Sequence, residues 1–275
     1  GARPTVLFGD SEPSPRRFSA GFVVGSLVLA AITTLVVGVL FRAVTAGPGL
    51  WGNISHLAGR GARDILNLTV LEALGNSLRN LLVAAALSLI IAWWLSAKRV
   101  GLAVLLPIGI SPVVLGLAAL VISGYLPQAI AGSWLLLPVV QSIFLTPLAF
   151  QIIAPARRSL SSDLLDAARL DGARGLQLFG WVELPVLARP LTAAAALVSL
   201  GSLGEFGAAR FLAYGSDQTL PLVMFRLMSR PGGENFGMAM VAASGFILLA
   251  IAVVWLVASV SPRPSSPVRE GARRG

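Results

Sequence analysis

Residues 22–41 form an uncharged run of about 20 residues, the length an α-helix needs to cross the ~30 Å hydrocarbon core of a bilayer. Five more apolar stretches of similar length follow, at 76–96, 101–122, 134–153, 191–212 and 237–260. This pattern restricts the fold severely. In hydrocarbon no water is present to pair with a backbone N–H or C=O, so spanning segments must be helices or closed barrels. Runs this long and this continuous read as helices. Composition agrees: 12% of residues are charged and 56% hydrophobic, against about 25% charged in a soluble domain. Mean hydropathy is +0.82. The predicted fold class is therefore all-α, a polytopic membrane protein with six transmembrane helices. These helices make one six-span domain over 21–261, with a polar leader or linker at 1–20 and a basic tail at 262–275.

The spans differ in texture. The second ends in Trp93 and Trp94 followed by Lys98 and Arg99, an aromatic belt with charges behind it. The third is interrupted by Pro107, Pro112 and Gly116, and the fourth holds Pro138, Gln141 and Pro147. Such breaks are tolerated where neighbouring helices or a water-filled cavity satisfy the freed backbone groups. Six spans put both ends of the domain on one side. Of the 21 Arg and Lys residues, Arg42, Arg60, Arg63, Arg79, Arg210, Arg226 and Arg230 fall on the other side, leaving twice as many with the ends. Cytoplasmic loops collect Lys and Arg, so both termini are expected in the cytoplasm of a plasma (inner) membrane protein.

Several functions are disfavoured. The net charge of +9 follows from this loop bias, and no aromatic-rich basic patch suggests base stacking on nucleic acid. The chain has no Cys and one His, His56, so thiolate sites and His-based metal clusters have no material, and no catalytic or metal residue is assigned. Asn53-Ile-Ser55 and Asn67-Leu-Thr69 match glycosylation acceptors, a motif that arises often by chance. Lys98 is the only lysine and follows Ala97, so there is no Walker lysine and no site for a nucleotide.

One stretch is unlike the rest. The connection 154–190, about 37 residues, is too long for a plain link in a compact domain. It interleaves Asp163, Asp166, Asp171 and Glu183 with Arg169, Arg174 and Arg189. Ser161 or Ser162 suits an N-cap, Asp163 suits the positive end of a helix, and Gly172 suits a left-handed stop. A second short helix is predicted to run to Glu183 and to be closed by Pro185.

The spacing Asp166-Ala167-Ala168, three residues, Gly172, nine residues, Val182, one residue, Leu184-Pro185 resembles the EAA loop of ABC importer permeases, the binding-protein-dependent inner-membrane components of MetI-like fold. Asp166 replaces the family's Glu and Val182 its Ile; the spacing is kept. The resemblance implies a cytoplasmic coupling loop that docks on a separate ATPase.

The fifth predicted span carries Gly201, Gly204 and Gly207, spaced for close helix approach, and Glu205, the one acid well inside a predicted span. An intramembrane acid is costly and marks either a translocation path or a packing anchor. Counted from Leu191, Glu205 falls in the outer third of the bilayer. The run Ser202-Leu-Gly-Glu-Phe-Gly207 with Thr219-Leu-Pro221 resembles permeases of the ferric iron, thiamine, sulfate and molybdate importers, and the continuation to Arg230-Pro-Gly is most similar to the iron and thiamine type. That type often fuses two six-span halves, which implies a second permease half, fused upstream or separate. The resemblance further implies two copies of a cytoplasmic ABC ATPase, an extracytoplasmic substrate-binding protein, and ATP bound by the partner and not by this chain. The rivals are a secondary transporter driven by an ion gradient, with Glu205 as its coupling acid, and a membrane-embedded enzyme, which one His and one deep acid do not equip.

Overall fold

The computed structural model describes residues 20–61, 64–98, 100, 102–230 and 232–260; the leader and tail segments predicted above lie outside this set, apart from Ala20. All regular structure among the described residues is helical. Among the described residues five helices are long and apolar enough to cross a membrane, and a bent pair supplies a sixth crossing if it is counted as one span.

Helix α1 (Ala20–Thr45) is apolar all round until its last turn, which holds Arg42 and the buried Ala43, and its most apolar stretch is not buried by protein, as befits a helix that lipid covers. Its main contacts with the bundle are with α2 (Gly49–Ser55) and the last long helix. Helix α3 (Val70–Ala97) begins six residues before the predicted start, because Thr69 and Glu72 form a reciprocal capping box: Thr69 Oγ1 accepts from Glu72 N at 3.1 Å and Glu72 Oε2 from Thr69 N at 2.7 Å. The predicted third span, 101–122, is not one helix. A 3₁₀ segment (Leu102–Gly109) containing Pro107 meets α4 (Pro112–Ser123) at 100°. Pro112 holds Ser111 extended, and Ser111 caps the new helix by accepting from Val113 N.

A single turn, α5 (Gln128–Ala131), leads to α6 (Leu136–Arg158), which runs five residues past its predicted end, through Pro147 and Pro155. The polar connection follows as α7 (Ser162–Leu170), α8 (Leu176–Leu178) and a π-turn (Phe179–Glu183) that opens without a break into α9 (Leu184–Leu203). Two expectations are corrected here. Pro185 closes nothing; it lies where the π-turn runs on into α9, and the helix continues through it to Leu203. The fifth span is 179–203 and not 191–212, so the loop between spans is far shorter than 154–190. After α9 come α10 (Ala209–Leu212), α11 (Leu220–Met228) and α12 (Gly233–Val260), the last starting four residues before its predicted boundary.

The centre is α3 against α6 against α9. Ala84, Ala92, Ala149 and Ala194 are fully buried where these helices meet, with Leu145 and Val198 between them. Water cannot drive helices together inside lipid, so close packing over small residues does the work. A second cluster joins the start of α3 to α11 and α12 through Leu66, Leu68, Val223, Leu227 and Met238. At that end Asn53, fully buried, donates to Ala46 O at 2.9 Å and ties α2 to the end of α1. Gly47 (φ +57°) passes so close to Gly233 that a Cβ would lie 2.7 Å from its carbonyl oxygen.

Candidate functional site

The polar connection forms a small structure outside the bundle. Ser161 Oγ accepts from Leu164 N and starts α7, and Asp163 sits in its first turn. Its end is a Schellman motif: Ala173 N donates to Ala168 O at 3.0 Å, Gly172 N donates to Arg169 O at 3.0 Å, and Gly172 takes φ +89°. Arg169 and Asp166 pair at 2.8 Å on the exposed surface, a contact worth ~0.2–0.5 kcal/mol that tunes the helix without creating it.

Of the residues marked by the motif, Asp166, Ala167, Gly172, Leu184 and Pro185 are exposed, and Ala168 and Val182 are half-buried. Leu170 is 89% exposed and Trp181 75%. The first part of the motif lies on α7, which leans on α8; the second part, 182–185, is the root of α9. The result is a short, rigidly capped helix with small residues, charges and bare apolar side chains, standing on the base of a span.

The roots of this loop are held by residues that the sequence marked only as charges. Arg157, at the end of α6, donates to Glu183 Oε1 at 2.9 Å and Oε2 at 3.3 Å. It also donates to Trp93 O at 3.2 Å and Ser96 Oγ at 3.4 Å, at the end of α3. Its guanidinium carbon stands 4.4 Å from the centre of the Trp93 ring, whose edge meets Phe179 at 4.9 Å.

The second predicted site lies two residues beyond the end of α9. Glu205 is buried, and its carboxylate accepts from Ala208 N at 2.6 Å, Ala209 N at 3.1 Å and Gln141 Nε2 at 3.4 Å. Gln141 Oε1 in turn accepts from Ser202 Oγ at 2.8 Å. Counting from Leu191 placed Glu205 within a helix; the earlier end of α9 places it instead in the turn that starts α10, joined to α6. Gly201 and Gly207 serve close contact, since a Cβ would meet Leu145 at 2.6 Å and Val113 at 2.7 Å. Gly204 instead caps α9. Gly116, which the sequence offered only as a break in a span, packs against Ala208, 2.5 Å from where its Cβ would stand. A further cavity of about 350 Å³ opens between the 3₁₀ segment and α6, lined by Leu105, Phe150, Gln151, Ala154, Pro155 and Arg158.

Together these features define an all-α polytopic membrane protein that carries a capped helix outside its bundle. No family model matches the chain. It is, however, similar to transport permeases. It is 28% identical over 218 residues to the sulfate transport system permease protein of Synechococcus elongatus, covering 71% of this chain and 76% of that one. It is 27% identical over 270 residues to the sulfate transport system permease protein of Synechocystis, covering 88% and 92%. Against the molybdenum transport system permease protein of Escherichia coli K12 it is 29% identical over 183 residues, covering 62% and 77%. These likenesses support an ABC importer permease and not an enzyme. They give the iron and thiamine placement no support, because these relatives bear sulfate and molybdenum names.

Proposed function

We propose that this chain is the membrane-spanning permease subunit of an ATP-driven ABC importer, coupled through residues 166–185 to a separate ATPase that binds and hydrolyses the ATP. The observation that carries the reading is α7: a helix closed by caps at both ends, with most of its described side chains exposed and Leu170 bare to solvent. A nine-residue helix is too short to be stable by itself, so its capping holds a shape ready for a groove. The partners follow: two ATPase copies in the cytoplasm, a second permease half, and an extracytoplasmic binding protein that delivers the solute. The solute class favoured is a small oxyanion such as sulfate or molybdate, in keeping with the relatives' names and with Arg158 and Gln151 in the lining of the 350 Å³ cavity. The rival ion-gradient mechanism would need Glu205 free to take up and release an ion. Its carboxylate is instead engaged by two backbone N–H groups and an amide.

The test is a pair of substitutions at Gly172. Nothing stands within 4 Å of its Cβ position, so the only obstacle to a side chain is φ +89°. Gly172→Val places a β-branched residue in that conformation at a strain of about 1–3 kcal/mol, whereas Gly172→Asn keeps a residue that tolerates it. Co-purification with the partner ATPase should fall in the valine variant and return in the asparagine variant, with membrane insertion equal in both. Equal co-purification of wild type and valine variant counts against the docking role.

A further inference from the structure

The docking loop has almost no grip of its own on the bundle. Between 159 and 178, Ala173 alone is buried among the described side chains. Any force applied to α7 must therefore enter the spans through the two roots of the loop, the end of α6 and the start of α9. The second root is a weak link. Phe179–Glu183 is a π-turn, wound with i→i+5 bonds, and such turns are less regular than the α-helices they join. Left alone, it is where a push would be absorbed.

Arg157 and Glu183 cross that weak point. Glu183 is the last residue of the π-turn and Arg157 is one residue short of the end of α6, so their contact closes the loop at its base. The pair is well shielded, with 20% and 9% of the two side chains exposed. It also engages a third helix: the same guanidinium holds Trp93 O and Ser96 Oγ at the end of α3 and lies over the Trp93 ring, which Phe179 of the π-turn meets edge-on. Those three helices are the ones whose alanine-lined faces form the centre of the bundle.

We propose that Arg157 and Glu183 are positioning residues that tie the docking loop to the α3–α6–α9 core, so that movement of α7 shifts the three spans as one body. This inference rests on the reading of α7 as the ATPase-docking helix. It assigns a role to two residues outside the seven motif positions and makes Trp93 the platform on which they meet. Without the tie, the ATPase still docks and still hydrolyses ATP, but the π-turn flexes and the spans stay where they are.

The chain has no native Cys, so one introduced thiol reports cleanly. Ile143, half-exposed on α6 well away from the loop, serves as the reporter in the Ile143→Cys background. The measurement is its reaction rate with a charged methanethiosulfonate in the assembled complex, with and without ATP plus vanadate, a readout that does not depend on knowing the solute. With Arg157 and Glu183 intact, nucleotide trapping should change the rate about fivefold or more. Glu183→Gln, which keeps the shape and removes the charge, should reduce the change to less than about twofold while ATPase binding and vanadate trapping persist. Glu183→Asp, which keeps the charge and leaves Arg157 on Trp93 and Ser96, should retain most of it. A full change in Glu183→Gln overturns the proposal. So does failure of both variants to assemble, since the pair is then a folding staple only. If the reporter reacts with the pair intact but its rate does not respond to trapping, the reading of an ATPase-coupled permease fails instead, and the two failures are told apart.

Discussion

Glu205 shows how a costly residue is made tolerable. An isolated carboxylate in an apolar setting is strongly disfavoured, but this one receives two backbone N–H groups and an amide, and that amide is itself fixed by Ser202. The carboxylate also supplies the N–H groups at the start of α10 with the acceptor they lack. Removing its charge while keeping its shape should therefore weaken the joint between α6, α9 and α10. Glu205→Gln exchanges charge-assisted bonds for neutral ones and leaves one donor facing another, a loss on the order of 1–3 kcal/mol. The expected outcome is a lower melting temperature of the purified complex, read by a thiol-independent unfolding assay, with transport lost only in proportion to folded protein. Normal stability with transport abolished would move Glu205 from the joint to the solute path. Gly116 belongs to the same joint, and its demand is steric, because the atom that a Cβ would meet is backbone.

At the scale of elements, boundaries were decided by caps more than by hydropathy. α3 starts where Thr69 and Glu72 satisfy each other's backbone, well before the apolar run begins. Thr69→Ala removes one half of this exchange and should cost about 0.5–2 kcal/mol, seen as fraying at the start of α3 by faster hydrogen exchange at Glu72 and Ala73, with the far end of the helix unchanged. Equal exchange in both proteins would show that packing against α11 and α12, and not the cap, sets the boundary. Proline had two meanings that sequence alone did not separate. Pro112 begins a helix after a sharp bend, whereas Pro147, which is buried, and Pro155, which is exposed, lie inside α6 and the helix runs on through both.

For the whole molecule, the loop ends of α3, α6 and α9 meet around Arg157, and the opposite end is pinned by separate contacts. There Arg79 pairs with Asp217 at 2.9 Å and stacks on Trp134, and Asn76 donates to Ser216 O and Gln218 O. Ser161 and Ser55 are exposed at these opposite ends. The two-to-one cation bias predicts which end is cytoplasmic. Ser161→Cys should react with a membrane-impermeant maleimide only from the cytoplasmic side and Ser55→Cys only from the other; the reverse pattern would invert the topology.

The helical class, the five continuous membrane-length helices and the caps of α7 were legible from the sequence, because each follows from local chemistry: length against bilayer thickness, a Ser oxygen beside a free N–H, a glycine where φ is positive. What the sequence could not contain was which residues meet. It marked Glu205 as an acid inside a span, and only the fold supplied Gln141 from 64 positions away to hold it. It counted Arg157 and Glu183 as charges on a loop, and only the closing of α6 onto α9 made them a pair. It read the fifth span as ending at 212, although α9 stops at Leu203, because the apolar residues beyond that point belong to a turn that packs against α4 and α6. Hydropathy reports that a residue is out of water; whether lipid or another helix covers it is a matter of distance between segments far apart in the chain, and tertiary packing alone decides that.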